Sequence, residues 1–160
     1  MNHAFSQKSQ LFILMTIFLD VLGIGLIIPV LPALIGTLTH SPAAQAFLFG
    51  WLASTFGIMQ FLCMPLLGAL SDRYGRRPIL LLSTFGLGLS YLVTAFSHSL
   101  AILLVARLVS GSTSATMSVA NAYLADITTP EQRAKAFGKA GAAFGIGFVF
   151  GPMLGGALGA

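Results

Sequence analysis

The residues in this sequence best suited to chemistry are two charged side chains with apolar neighbours. Asp20 lies in the middle of an apolar run from Leu11 to Leu34, and Arg107 lies near the start of another, from Leu100 to Ala125. A charged side chain costs about 2.5–3.5 kcal/mol at the centre of a membrane helix and is therefore usually functional. The carboxyl group of Asp20 could hold a proton or cation in one state and release it in another.

Each charge also has a simpler interpretation. Asp20 could hydrogen-bond to a neighbouring helix and only fix its packing, and Arg107 could extend its side chain to the outer membrane interface. Small and polar residues follow Arg107 at spacings of three or four, namely Gly111, Ser114, Ser118, Asn121 and Ala125. Such a stripe faces partners or water rather than lipid, so it predicts either a cavity wall or a close helix contact.

The segment Gly68–Pro78 places an acid, three arginines and two glycines between two apolar runs. Its charged and glycine residues are Gly68, Asp72, Arg73, Gly75, Arg76 and Arg77. Glycine permits a sharp turn, Pro78 suits the first turn of a helix, and Asp72 could cap that helix or accept hydrogen bonds from arginine. Anchoring at the cytoplasmic surface explains three arginines. The accompanying acid and glycines favour a tight connection between the helices on either side, and we expect this connection to control conformation.

The composition indicates that lipid surrounds these residues. Of the 160 residues, 56% are hydrophobic and only 8% are charged, which is too apolar for a soluble globule. Most lysines and arginines lie in short gaps rather than on one continuous face, so we do not expect a nucleic-acid partner. Cys63 is the single cysteine. This excludes an intrachain disulfide, and we expect no metal cluster and no cofactor.

Five apolar segments of roughly 20 residues predict an all-α bundle of membrane helices. They cover residues 11–34, 46–70, 79–96, 100–125 and 137–160. Lysine and arginine fall in the N-terminal tail and in the second and fourth gaps, which predicts a cytoplasmic location for all three. A cleaved signal peptide explains the first segment less well, because its apolar run is too long and contains Asp20 and two prolines.

The fifth segment carries glycines at four-residue spacing. They are Gly147, Gly151, Gly155 and Gly159, with Pro152 and Gly156 beside them. This spacing forms a smooth groove that another helix can approach closely, and Pro152 is expected to kink the helix. Such grooves serve packing more often than function, although a tight seal would also block leakage. Because the sequence ends within an apolar run, we expect a chain truncated before a sixth helix.

These motifs give the chain a resemblance to the major facilitator superfamily. Gly68–Leu80 resembles the superfamily's loop motif between helices two and three, and Arg107–Ala115 resembles the proton-coupling motif of helix four. Gly147–Gly156 is similar to the antiporter motif of helix five. Asp20–Pro32 and residues 122–128 look like the tetracycline efflux proteins of the drug:proton antiporter group. The likeness covers almost the whole chain.

The resemblance implies a twelve-helix fold in two six-helix halves, with the substrate site between the halves. Five helices of the first half are present here. The resemblance also implies that the charged residues of the loop motif form a gating network with Asp126. It implies an antiport role for Gly151 and Pro152, and substrate or proton coupling by three residues. Those three are Asp20, Gln60 and Arg107, and we group Asn121 of the polar stripe with them.

The resulting expectation is a secondary transporter rather than an enzyme. It would export a drug, of the tetracycline type and free or chelated to a divalent cation, in exchange for protons across the cytoplasmic membrane. Its partners would be the drug, protons, the lipid bilayer and a missing C-terminal half. Two alternatives stay open: an inactive truncated fragment or assembly partner, and a superfamily transporter with a different substrate.

Overall fold

The structure, a computed structural model, describes residues 3–39 and 41–158, which form six α-helices and no strand. The helices are α1 (His3–Leu38), α2 (Pro42–Tyr74), α3 (Arg76–Ala95), α4 (Leu100–Thr113), α5 (Thr116–Ile127) and α6 (Pro130–Leu158). They provide five segments long and apolar enough to cross a membrane, with α4 and α5 forming one of them. The predicted all-α membrane bundle is confirmed.

Several helices extend beyond the apolar segments that predicted them. α2 begins at Pro42 because Ser41 caps it, with the Ser41 hydroxyl accepting a hydrogen bond from the backbone N–H of Ala44 at 3.4 Å. α6 begins at Pro130, seven residues before the apolar run starts. An apolar run marks only what lipid can surround, whereas a helix continues through polar residues at the interface. The predicted Gly159 and the chain end lie outside the described residues.

The fourth predicted span, residues 100–125, corresponds to the segment Leu100–Ile127, but its helix is interrupted in the middle. Ser114 (φ −81°, ψ 87°) and Ala115 (φ −127°, ψ 8°) both leave the helical conformation and separate α4 from α5. Neither residue is proline or glycine, and the Ser114 N–H donates to the carbonyl of Gly111 in the last turn of α4. The hydroxyls of Ser112 and Thr113 instead donate to the carbonyl of Val109, at 2.9 and 3.0 Å. Such back-bonding offers helix carbonyls an alternative partner and often bends helices.

Two apolar clusters lie at opposite ends of α1. One surrounds Ile13 and Ile17 and includes residues of α3, α5 and α6. The other surrounds Leu31 and Ile35 and includes residues of α2 and α4. The stretch of α1 between the clusters, residues 22–30, contains two glycines and a proline. Large apolar side chains therefore pack around α1 toward both of its ends.

The glycine groove of α6 lies directly against α1. A Cβ atom built on Gly147, Gly151 or Gly155 would come within 2.5–2.9 Å of α1 backbone atoms, so no side chain fits there. On the facing helix, a Cβ on Gly25 would lie 2.8 Å from the Cα of Gly151 and 2.8 Å from Cδ of Pro152. Small residues let the two backbones approach to this distance. α1 and α6 are consequently packed as a pair along much of their length.

Gly156 differs from these three glycines although it belongs to the same sequence motif. A Cβ built on Gly156 meets no atom within 4 Å. The motif therefore combines glycines that face α1 with one that has open space beside it. This difference supplies a matched pair of positions on one helix.

We expect Gly151→Ala to destabilise the folded protein by about 1–3 kcal/mol, the usual cost of overpacking, because the added methyl group meets backbone that cannot move aside. Gly156→Ala should leave stability unchanged or raise it slightly, since alanine favours helix. Thermal unfolding in detergent of the complete product of the gene that encodes this chain would measure both. Equal stability of the two variants would contradict the close α1–α6 contact.

Candidate functional site

Asp20 lies where the fourth span is broken. Its side chain is buried, with 6% of the residue exposed, and its Oδ1 atom accepts a hydrogen bond from the hydroxyl of Thr116 at 2.8 Å. Thr116 is the first residue of α5. The first N–H groups of a helix have no acceptor within it, and the helix dipole there favours negative charge. The break thus gives Asp20 a polar partner inside the bundle.

Gln60 shares this surrounding with Asp20. Its Nε2 atom donates to the hydroxyl of Ser114 at 2.9 Å. Gln60 and Ser114 line a cavity of about 120 Å³ together with Asp20, Thr116 and Ser118. We call it the Asp20 cavity. Two sequence-predicted residues, Asp20 and Gln60, are thereby brought together.

Asn121 is not part of the Asp20 cavity. It is half-buried on α5, beyond the break that interrupts the predicted stripe. Thr116 and Ser114 are the residues that sequence analysis did not assign to Asp20. The run of serine and threonine at 112–116 was the available signal, since these residues weaken helix interiors and favour helix starts.

Arg107 is buried within the bundle, with 4% of the residue exposed. Its Nη2 atom donates to the hydroxyl of Thr94 on α3 at 3.4 Å. Its Nε atom has no hydrogen-bond partner among the residues the structure describes. The side chain does not extend to the surface, so the alternative of an arginine reaching the outer interface is wrong.

A second cavity, of about 160 Å³, lies beside Arg107, and we call it the Arg107 cavity. Its walls are otherwise apolar residues of α1 and α2, except for Tyr91 of α3. Ile24 lines both this cavity and the Asp20 cavity. One isoleucine side chain therefore contributes to the walls of both cavities.

Gly75 alone separates α2 from α3. Its φ angle of 98° is the only positive φ in the described part of the chain, and its N–H donates to the carbonyl of Ser71 at 3.0 Å. Residues with a side chain rarely adopt this conformation. The predicted sharp turn in the Gly68–Pro78 segment is present, and Pro78 lies in the first turn of α3. Gly68 has open space around it.

Arg76 is the centre of a charge network at this turn. It forms an ion pair with Asp72 one helical turn earlier, and its Nε atom donates to Oδ2 of Asp126, at the end of α5, at 3.0 Å. Its Nη1 atom also donates to the hydroxyl of Ser71 at 2.7 Å. The guanidinium group thus connects the α2–α3 turn to α5, with Asp126 in the position that the resemblance implies.

Arg77 makes a second connection, which sequence analysis did not specify. Its Nε atom donates to the hydroxyl of Tyr123 on α5, and its Nη2 atom donates to the hydroxyl of Ser9 on α1, each at 2.8 Å. Its guanidinium carbon also lies 5.9 Å from the ring centre of Phe12. Arg77 joins three helices in this way, whereas Arg73 is exposed and lies over the ring of Tyr74.

The ion pairs of Arg76 are accessible to solvent. The side chains of Asp72 and Asp126 are 65% and 54% exposed. Exposed pairs of this kind contribute about 0–1 kcal/mol each. The network is too weak to determine the fold, and its energy is on the scale that biases an equilibrium between two conformations.

Comparison with known proteins agrees with these features. Residues 13–160 match the Major Facilitator Superfamily. The chain is 49% identical over 155 residues to the tetracycline resistance protein, class C, of Escherichia coli, covering 97% of this chain and 39% of that protein. It is 45% identical over 153 residues to the class H protein of Pasteurella multocida, covering 96% of this chain and 38% of that protein.

A human protein, major facilitator superfamily domain-containing protein 10, is 36% identical over 167 residues, covering 89% of this chain and 37% of that protein. The chain thus spans about two fifths of the length of the curated relatives it matches. The resemblance noted in the sequence is confirmed by both kinds of match. With five apolar helices and a match over most of its length, the chain is a multi-pass membrane protein that belongs to the major facilitator superfamily.

Proposed function

We propose that this chain acts in the efflux of a tetracycline-type drug, driven by the entry of protons and carried out by alternating access. The drug is exported free or as a chelate with a divalent cation. The membrane is the cytoplasmic one, and the N-terminus lies in the cytoplasm, in line with the positive-inside tendency. The names of the relatives support the drug class. The observation that supports proton coupling is the burial of Asp20, whose carboxyl group accepts a hydrogen bond from Thr116 at the start of α5.

Asp20 is suited to exchange a proton because its two protonation states interact differently with α5. As a carboxylate it is favoured by the positive end of the α5 dipole and by the Thr116 hydroxyl. As a neutral acid it loses most of that attraction. Proton binding would therefore loosen α1 from α5 at the break, which couples the ion to the relative position of two helices.

The packing of the bundle determines which parts move. α1 and α6 touch through glycines with no space between their backbones, so we expect them to move as one unit. The break at Ser114–Ala115 lies opposite Asp20 and gives the fourth span a joint. The Arg76 network spans the turn that fastens α2 to α3, where it can favour one access state by a small energy.

The drug site itself is proposed to need helices beyond those described here. Sites of this superfamily lie between two halves of the fold, and the relatives are much longer than this chain. Cells that express residues 1–160 alone should show no gain in tetracycline resistance, whereas cells that express a full-length relative should. Resistance from residues 1–160 alone would contradict this part of the proposal.

Asp20→Asn should reduce proton-driven uptake of tetracycline into inverted vesicles at least tenfold, because the amide cannot exchange a proton. Thr116→Val should reduce it less, since the carboxyl group remains and loses one donor. The measurement uses the complete gene product with an imposed pH gradient. Unchanged uptake by Asp20→Asn would remove Asp20 from the coupling mechanism.

Asp72→Asn should lower the transport rate about fivefold while leaving the drug's Kd in detergent unchanged, because it alters the balance of access states by about 1 kcal/mol. Glu131→Gln is the matched control, as an acid of the first turn of α6 without an ion pair to Arg76. Vesicle transport and a binding titration together test this. A large loss of affinity with normal turnover would contradict a conformational role.

A further inference from the structure

We propose that Tyr91 is a positioning residue that links the two buried charges of the bundle, with its hydroxyl bridging Arg107 and Asp20 during the transport cycle. The inference rests on the proposed function and adds a residue to its coupling site. A phenol hydroxyl can accept one hydrogen bond while it donates another. It can therefore accept from a guanidinium group and donate to a carboxylate at the same time.

The position of Tyr91 on the Asp20 side is fixed by Gly23. A Cβ atom built on Gly23 would overlap the Tyr91 ring and lie 3.0 Å from its hydroxyl oxygen. Gly23 is three residues after Asp20, so the two residues lie on the same side of α1, about one turn apart. The Tyr91 ring occupies the space that a side chain at position 23 would fill.

Tyr91 reaches the other charge through the Arg107 cavity, which both residues line. The hydroxyl of Ser90 donates to the carbonyl of Ala106 at 3.0 Å. This bond fixes α3 against α4 at the residues immediately before Tyr91 and Arg107. The spacing between the tyrosine and the arginine is therefore held by two packed helices.

Tyr91 lies between the surroundings of the two charges, since its ring fills the space at Gly23, one turn after Asp20, and it shares a cavity with Arg107. Nε of Arg107 is buried and has no hydrogen-bond partner in the parts of the chain that the structure describes. An arginine with an unused donor and a tyrosine whose hydroxyl can accept a hydrogen bond thus line one cavity. Leaving a buried polar group unpaired costs about 1–3 kcal/mol, so a state in which they pair is favoured.

The distribution of acids leaves Asp20 as the natural counter-charge of Arg107. The sequence has four acids. Asp72 and Asp126 bind Arg76 at the α2–α3 turn, and Glu131 lies in the first turn of α6. Asp20 is the acid in the interior of the bundle, and Ile24 lies in the walls of both cavities.

The test separates proton coupling from alternating access. Tyr91→Phe keeps the ring against Gly23 and removes only the hydroxyl. Tyr74→Phe is the matched control, since Tyr74 is exposed at the end of α2. For each variant of the complete gene product, vesicles are assayed for uptake of tetracycline with Mg²⁺ driven by a pH gradient. They are also assayed for exchange of labelled for unlabelled tetracycline at equal pH, which needs no net proton movement.

We expect Tyr91→Phe to lose at least tenfold in proton-driven uptake while retaining exchange within about twofold, and Tyr74→Phe to retain both. Gly23→Ala, which displaces the ring but keeps the hydroxyl, should give the same separation of the two rates as Tyr91→Phe. If Tyr91→Phe on α3 and Gly23→Ala on α1 both reduce uptake and retain exchange, the effect depends on the position of the Tyr91 hydroxyl.

Three other outcomes would overturn the inference. Normal uptake by Tyr91→Phe would show that the hydroxyl has no part in coupling. Equal losses of uptake and exchange, or loss of folded protein, would assign Tyr91 to packing alone. Absence of proton-driven uptake in the unsubstituted protein would remove the proposed function and this inference together, and so differs from a failure confined to the variant.

Discussion

The hydrogen bond from Thr116 to Asp20 is the contact on which the interior of this bundle depends. A carboxyl group away from water needs donors, and the start of a helix away from water needs acceptors. Each group alone would be costly within a membrane span. At mid-height of α1 the side-chain hydroxyl of Thr116, the first residue of α5, donates to Asp20 at 2.8 Å, so the acid on the first span lies against the break in the fourth span.

The contact between Asp20 and Thr116 lies between a closely packed helix pair and an interrupted helix. On one side of α1, the glycines of α6 leave no space between the two backbones, and such packing does not deform gradually. On the other side, α5 is joined to α4 only through two non-helical residues. A change in the charge of Asp20 would therefore act on the joint rather than on the α1–α6 pair. The exposed Arg76 network is weak enough to follow such a change.

Local sequence was sufficient for features that depend on composition or on one residue type. Long apolar runs predicted the membrane helices. The glycine at position 75 predicted the turn, and its φ of 98° is a conformation that glycine adopts readily. The spacing at Gly147, Gly151 and Gly155 predicted a groove, though not that α1 would fill it. Gly156 belongs to the motif but not to this four-residue series, so it lies about 100° around the helix from Gly155 and faces open space.

Features that depend on contacts between distant residues were not predictable in the same way. The two non-helical residues before Thr116 are serine and alanine rather than proline or glycine, and hydroxyl back-bonding is too common in membrane helices to mark the break. The partners of Arg77 illustrate the same limit, since Ser9 lies 68 positions away in the chain. The Arg76–Asp126 contact was predictable only through resemblance to a family in which both positions form a pattern.

The two interior charges show why their environments must be considered together. Asp20 has a hydroxyl partner and a helix start, while Arg107 has one long hydrogen bond of 3.4 Å and an unused Nε atom. Their opposite charges are held on different helices beside separate cavities. A direct ion pair between them would be hard to break in a low dielectric, and a transporter must alternate between states. In the proposed function, keeping them apart would let one proton at Asp20 change the electrostatic balance of the bundle without a strong pair having to be separated first.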